Sequence, residues 1–496
     1  MYTAKEVISL TKTKKSSYWK KVQEKQSLDL FHRSAEQVPA YKDFLKKNHL
    51  NHKRIKTFQD FQEVPVVNKK NYLSQYKLSD LAWNGKLDKS LVYTATSGTT
   101  GMPFYFMRQE KLDWQYSLII ENFLRNSTLN LKEPTLVIIC FGMGIWIGGL
   151  ITYKAFEIAS LRNSYPLSII TPGINKAEIM NIFKLLVPMY KQLIFVGYPP
   201  FIKDIIDEAK NEGLDLKKFQ PKILFAAESI TEPFRNYLVK QSGIKNMFTD
   251  IINIYGSADI GAMAFESTIS TLIRRLSLED EKVFNNIFGS IKKTPTLAQY
   301  NPLFINFESL NGEIILTGEG ALPLVRYAIG DKGGVFTYSD LEVKLKLMGI
   351  SLDKQILHKR ISQFVTQLPF VYVYERIDMS ATLYGMWIYP EWFKSALLTW
   401  PIRKYLTGKF TLITKFDSKQ NQYLEINLEL RKGLKSDRIN KKSILDNLVD
   451  SLRKNSSEYR ELSDKLKTKA WPRLKYWPYE SDIHFKPGIK QKWVKK

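Results

Sequence analysis

The run Thr96-Ser-Gly-Thr-Thr-Gly-Met-Pro103 crowds hydroxyls and glycines into one short segment. Gly98 and Gly101 let the backbone turn tightly and bring its N–H groups close to an anion. Thr96, Ser97, Thr99 and Thr100 add short hydroxyl donors, so the segment has the chemistry of a phosphate cradle. It is not the P-loop of the common NTPases, because no Gly-Lys-Ser/Thr follows at the required spacing. On its residues alone it equally suits a polar surface turn. The preceding Leu91-Val92-Tyr93 reads as the end of a strand, which places the loop at a ligand-facing sheet edge.

Further segments follow in order. Phe141-Gly-Met-Gly-Ile-Trp-Ile-Gly-Gly149 is a glycine-rich turn before a helix, and Trp146 in it suits either a core or the wall of an apolar pocket. Phe225-Ala-Ala-Glu-Ser229 sets small residues before the carboxylate of Glu228. Ile254-Tyr-Gly-Ser-Ala-Asp-Ile-Gly261 offers an aromatic ring and the hard oxygen donor Asp259. Ala321 to Asp331 ends in Gly330-Asp331, by itself only a turn with an acceptor-only carboxylate. Glu375 to Pro390 and the basic segment Phe485 to Val494 complete the series. The few histidines are scattered and form no evident triad, and the lone Cys140 lies in an apolar run that buries it. A single cysteine excludes a disulfide framework and a cysteine-cluster metal site.

The elements that must position these groups are those of an α/β protein. Thr135–Cys140, Gln192–Val196, Lys222–Ala227 and Ile251–Ile254 are compact apolar runs suited to strands covered on both faces. Ile202 to Lys210 follows Pro199-Pro200 with apolar residues at helical spacing and stops before Gly213. After about residue 375 the pattern changes. Gln422 to Leu430 alternates apolar and polar residues, predicting a strand with one face in water, with Gly408 to Phe416 as its neighbour. Ser443 opens a predicted helix with Ile444, Leu445, Leu448, Val449 and Leu452 on one face. The net charge of +25 suits nucleic acid, an anionic membrane surface or a polyanionic substrate. No nucleic-acid-binding signature accompanies it, so the expectation is a solvated basic surface with at most weak affinity for anionic lipid. The apolar stretches are too short and too glycine-rich to cross a membrane, and the N-terminus lacks the apolar core of a secretory signal, so a cytoplasmic location is expected.

Taken in order, these segments resemble the signatures of the adenylate-forming superfamily. The surrounding sequence is most similar to its phenylacetate-CoA ligase branch, which includes capsule-biosynthesis relatives, and the resemblance runs from about residue 35 to the end. It implies an α/β fold: a large N-terminal domain with mixed sheets, residues 1–375, joined by a hinge to a small mobile α+β domain, residues 376–496. It also implies ATP, Mg²⁺ and coenzyme A. Thr96, Ser97, Gly98, Thr99, Thr100 and Gly101 would grip the triphosphate, and Glu228, Tyr255 and Gly256 would line the adenine site. Asp331 would accept hydrogen bonds from the ribose, Asp259 would help hold Mg²⁺, and Glu266 would be a second, weaker acid. Arg376 would contact nucleotide, Asp378 would be the hinge, and Lys490, with Lys486 and Lys492 nearby, would steady charge during adenylation.

The chain departs from the pattern in places. Met102 stands where many relatives have Lys, Asp259 replaces Glu, Ala328-Ile329 replaces Arg-Thr, and Glu375 replaces Gly. The stretch from Ser267 to Phe304 is longer than in phenylacetate ligases. The implied activity is ATP-dependent conversion of a carboxylate to an acyl-adenylate with release of pyrophosphate, then transfer to a thiol, coenzyme A. The alternatives are adenylyl or acyl transfer to another acceptor in cofactor or envelope biosynthesis, and a non-catalytic nucleotide-binding scaffold.

Overall fold

The computed structural model describes residues 2–88, 91–95, 104–143, 147–289, 294–374, 380–397, 399, 402–485 and 493–495. Its strands, in chain order, are β1 (Val92–Ala95), β2 (Tyr105–Arg108), β3 (Thr135–Cys140), β4 (Leu167–Ile170), β5 (Gln192–Gly197), β6 (Lys222–Ala226), β7 (Ile251–Ser257), β8 (Gly261–Phe265), β9 (Thr296–Gln299), β10 (Ile305–Leu310), β11 (Glu313–Gly318), β12 (Leu324–Phe336) and β13 (Phe370–Tyr374). After these come β14 (Ala381–Leu383), β15 (Met386–Ile388), β16 (Leu406–Phe416), β17 (Gln422–Leu430), β18 (Arg473–Trp477) and β19 (Val494–Lys495). Among the described residues, β10-β11-β12-β13-β9-β8-β7-β6-β5-β3-β4 form one sheet in that order. The half from β7 to β4 is parallel and the half from β10 to β8 antiparallel.

The parallel half follows from the apolar runs. β3 and β5 are buried at every residue, as strands must be when crossover helices cover both faces. The helices Ile147–Asn163, Lys176–Leu185, Pro199–Asn211 and Glu232–Ser242 make those crossovers. Pro199–Asn211 starts on the prolines, at positions whose N–H groups would be unpaired in any helix. The fold is thus the expected large N-terminal α/β body with a smaller C-terminal unit, in which β18-β17-β16-β19 form a second sheet.

Three local expectations change. β1 lies outside the large sheet, in a separate hairpin with β2. The polar face of β17 is dry, because β16 and β18 flank the strand and its polar side chains are paired. Glu425 meets Lys415 at 2.7 Å and Lys475 at 3.2 Å, Asn427 accepts from Trp477 Nε1 at 2.6 Å, and Glu429 accepts from Thr407 Oγ1 at 2.7 Å. Alternation therefore reported a strand but not its solvent face. The helix expected at Ser443 runs Lys441–Asn455, capped by Asn440, whose side chain accepts from Ser443 N at 3.0 Å. One buried apolar cluster is continuous from Phe195 and Phe225 through Ile202 and Ile206 to Leu383, Leu412 and Ile426, joining the two units.

Candidate functional site

Parallel strands β3, β5, β6 and β7 end at Cys140, Gly197, Ala226 and Ser257, so the residues that follow share one sheet edge. In open α/β sheets this is the edge that receives ligands. Phe141 and Tyr198 meet there edge to face, their ring centroids 5.0 Å apart. Beside them Ala227 adopts φ +73°, a left-handed conformation that costs a non-glycine residue about 1–3 kcal/mol and clusters at functional sites.

Buried ions hold the loop that carries this strain. Asn253 Nδ2 donates to Glu228 O at 2.9 Å, Arg274 donates to Ile230 O, and Arg235 Nη1 donates to Ile251 O at 3.0 Å. Glu266 lies between the two guanidiniums, 2.5 Å from Arg235 and 2.6 Å from Arg274, and Glu232 joins them at 3.1 Å from Arg235. All four side chains are buried. Glu266, which the resemblance implies as a second, weaker acid, lies in this cluster.

On the other side of the edge, Tyr255 OH donates to Asp331 Oδ2 at 2.7 Å, joining residues 76 positions apart. Gly256 is required by close approach, since a Cβ there would collide with the carbonyl of Gly261 across the β7–β8 hairpin. Asp259, in the turn of that hairpin, has a side chain only 4% exposed, with Lys69 Nζ at 3.2 Å and Tyr327 OH at 2.9 Å. Thr94 Oγ1 donates to Ala258 O at 3.4 Å, and Lys69 lies over the Phe106 ring at 5.7 Å. The β1–β2 hairpin is therefore rooted against the Asp259 turn. Thr96, Ser97, Gly98, Thr99, Thr100 and Gly101 belong to its connection and lie outside the described residues, as do Trp146, Arg376, Asp378 and Lys490.

Among the described residues no group of three or more His, Cys, Asp or Glu converges to hold a metal ion. Asp259 offers one carboxylate, and an ammonium already faces it. That donor set fits a Mg²⁺ whose remaining ligands are phosphate oxygens and water, not a cage built by protein.

Glu228 is held from the C-terminal side. Its carboxylate accepts from the N–H of Gly385 and from Gln422 Nε2, the latter at 2.8 Å. Gly385 has φ +84°, and a Cβ there would overlap the Tyr198 ring, so only glycine fits the turn between β14 and β15. Tyr384 OH donates to Asp204 Oδ2 at 3.3 Å, and Lys469 meets the same oxygen at 3.0 Å. Lys203, fully buried, bonds Asn421 and lies 2.6 Å from Asp207. Near Tyr198, burial and then the neighbouring Glu461 push the carboxyl of Glu458 up to about 7.

The structure therefore brings Tyr255 and Asp331 into contact and sets Asp259 and Glu228 at the ends of adjacent strand connections. Sequence reasoning missed Lys69 and Gln422. Asn68-Lys-Lys-Asn71 carries no signal distinguishing one lysine from the other, and Gln422 reads only as the first residue of a strand.

Among solved structures, the chain is similar to 2-hydroxyisobutyryl-CoA ligase in complex with 2-HIB-AMP and CoA in the thioesterification state. The TM-score is 0.60 at 14% identity, covering 100% of this chain and 93% of that one. The same ligase in an open conformation gives 0.51 at 14% identity, over 96% and 91%. In its postadenylation state it gives 0.51 at 14% identity, over 98% and 90%. No protein-family model and no curated protein matches the sequence. At this identity the likeness is one of fold, and it extends through both units.

Proposed function

We propose that the chain is an ATP- and Mg²⁺-dependent acid–thiol ligase of the phenylacetate-CoA ligase kind, acting on a small-molecule carboxylate in the cytoplasm. A carboxylate oxygen attacks the α-phosphorus of ATP, the bond to pyrophosphate breaks, and the acyl-adenylate remains bound. The sulfur of coenzyme A then attacks the acyl carbon and AMP leaves. The observation that carries this reading is the Tyr255–Asp331 contact, which unites two separate signature segments at the ligand edge. Asp331 would accept from the ribose hydroxyls, Tyr255 and Gly256 would flank the adenine, and the Glu228 loop would line its other side. Thr96 to Gly101, which link the two strands of a hairpin rooted on the Asp259 turn, would surround the triphosphate with N–H and hydroxyl donors.

Met102 leaves that loop without its usual lysine, and Lys69 beside Asp259 supplies a nearby cation. Mg²⁺, when bound, would offset phosphate charge near Asp259. Arg376 and Lys490 would bear on the nucleotide and the developing charge of the transition state. Positioning and electrostatics suffice, because the attacking carboxylate is already ionised. Residues 1–375 and 376–496 would be the two moving parts, with Asp378 as hinge. The higher similarity to the thioesterification-state ligase than to its open and postadenylation forms supports a thiol-transfer pose here.

The test is exchange of labelled pyrophosphate into ATP across a panel of carboxylic acids, followed by addition of coenzyme A. Carboxylate-dependent exchange, strongly reduced in Asp331→Ala and Lys490→Ala, is expected, with an acyl-CoA product once the thiol is supplied. Absence of exchange with every acid would sink the reading and leave the nucleotide-binding scaffold. Exchange without thioester would move the acceptor to a cofactor or an envelope saccharide.

A further inference from the structure

A cavity of about 60 Å³ lies between the N-terminal helix Ala4–Thr13, the helix Glu110–Asn126 and strand β8. Its walls are mainly aliphatic: Val7 and Ile8 from the first helix, Leu118 and Ile119 from the second, Ala262 and Met263 from the strand. Gln115 also faces it. That residue is only 9% exposed, and its amide has no hydrogen-bond partner among the described residues. An amide set in a mainly aliphatic cavity favours an occupant that can hydrogen-bond to it. Of the other polar groups at the wall, Thr11 Oγ1 donates to Val7 O, Asn122 Oδ1 accepts from Asn126, and Asn301 Oδ1 accepts from Leu303 N.

We infer that this cavity is a binding site for a short, neutral aliphatic chain ending in a hydroxyl group, held by Gln115. Three features set that chemistry. No charged side chain lines the cavity, so an ionised head would be desolvated without compensation. An amide both donates and accepts, which a hydroxyl answers in both directions. The volume is less than half of the about 150 Å³ in which an engineered apolar cavity holds benzene, so a slender chain fits and a ring does not. The neutral preference also separates this cavity from a carboxylate-binding acyl site, and Glu228, Tyr255, Gly256 and Asp331 do not line it. Ile260 does, so an occupant touches the residue that follows Asp259. The inference does not rest on the ligase reading.

The probe is a terminally fluorinated pentanol, titrated into the full chain and followed by fluorine NMR, with the matching fluoropentanoate as the anionic control. Saturable alcohol binding is expected, with pentanoate at least tenfold weaker. Val7→Phe, which fills the cavity from the first helix, should abolish binding; Ile119→Phe fills it from the second helix should the first variant fail to fold. Gln115→Leu should weaken alcohol binding about fivefold to tenfold, the worth of one hydrogen bond. No saturable binding, equal binding of pentanoate, or undiminished binding in a folded cavity-filled variant would each overturn the proposal.

Discussion

Asp259 and Glu228 end connections at the same sheet edge, yet their carboxylates are satisfied from opposite parts of the chain. Asp259 is held by Lys69 and Tyr327, both within the large N-terminal body. Glu228 is held by Gly385 and Gln422, both beyond β13 in the C-terminal unit. Among the described residues, the partners of Asp259 come from the larger body and the donors to the Glu228 carboxylate come from the smaller unit. If the proposed two-step reaction moves the smaller unit, the contacts of Asp259 within the larger body would persist while the donors to Glu228 would change.

The sharpest way to break this contrast is Asp331→Ala, which removes a charged acceptor of the Tyr255 hydroxyl. Charged hydrogen bonds are worth about 1.5–3 kcal/mol, so pyrophosphate exchange should fall roughly tenfold to a hundredfold or somewhat more. Thioester formation from pre-made acyl-adenylate should change less. Gly385→Ala should do the reverse. Its φ of +84° and the overlap with Tyr198 oppose docking of the turn, so thiol transfer should fall about tenfold to thirtyfold while exchange survives. Equal loss of both steps in both variants would erase the distinction between the two sets of contacts.

Smaller effects sharpen it. Glu458 has an ordinary value of 4.5 and is pushed up to about 7 in the folded protein, so the folded state binds the extra proton between those values. Stability should therefore decline as pH rises from about 4.5 to about 7 and then level off. Glu458→Gln should remove that decline and raise stability above pH 7 by about 1 kcal/mol, measured by denaturant unfolding; this allows for partial exposure of the side chain. Smallest of all, Gln422→Ala removes one of the two donors on Glu228 and should slow thiol transfer about fivefold, with exchange unchanged.

The fold was legible where physics is local. The apolar runs at Thr135, Gln192, Lys222 and Ile251 each became a parallel strand, because burial on both faces leaves its mark in the residues themselves. Asp331 was legible only through resemblance; nothing in Gly330-Asp331 announces that Tyr255 will reach it. Lys69 and Gln422 were illegible for the same reason, since their roles come from partners 190 and 194 positions away. β17 misled in a different way. Its alternation was real, but two flanking strands and a set of lysines covered the polar face, and no pattern within one strand encodes its neighbours.

The buried quartet Glu232, Arg235, Glu266 and Arg274 bears on this division in a mechanical sense. Ion clusters of this kind add little net stability over a well-packed apolar core, but they resist piecemeal rearrangement, because displacing one member leaves the others uncompensated. Through Arg274 on Ile230 O and Arg235 on Ile251 O, that stiffness extends to the backbone just after Glu228 and to the start of the neighbouring strand β7. The loop thereby becomes a fixed datum: were the smaller unit to depart, as the proposed hinge implies, the change would fall on what touches the Glu228 carboxylate and not on the position of the carboxylate itself.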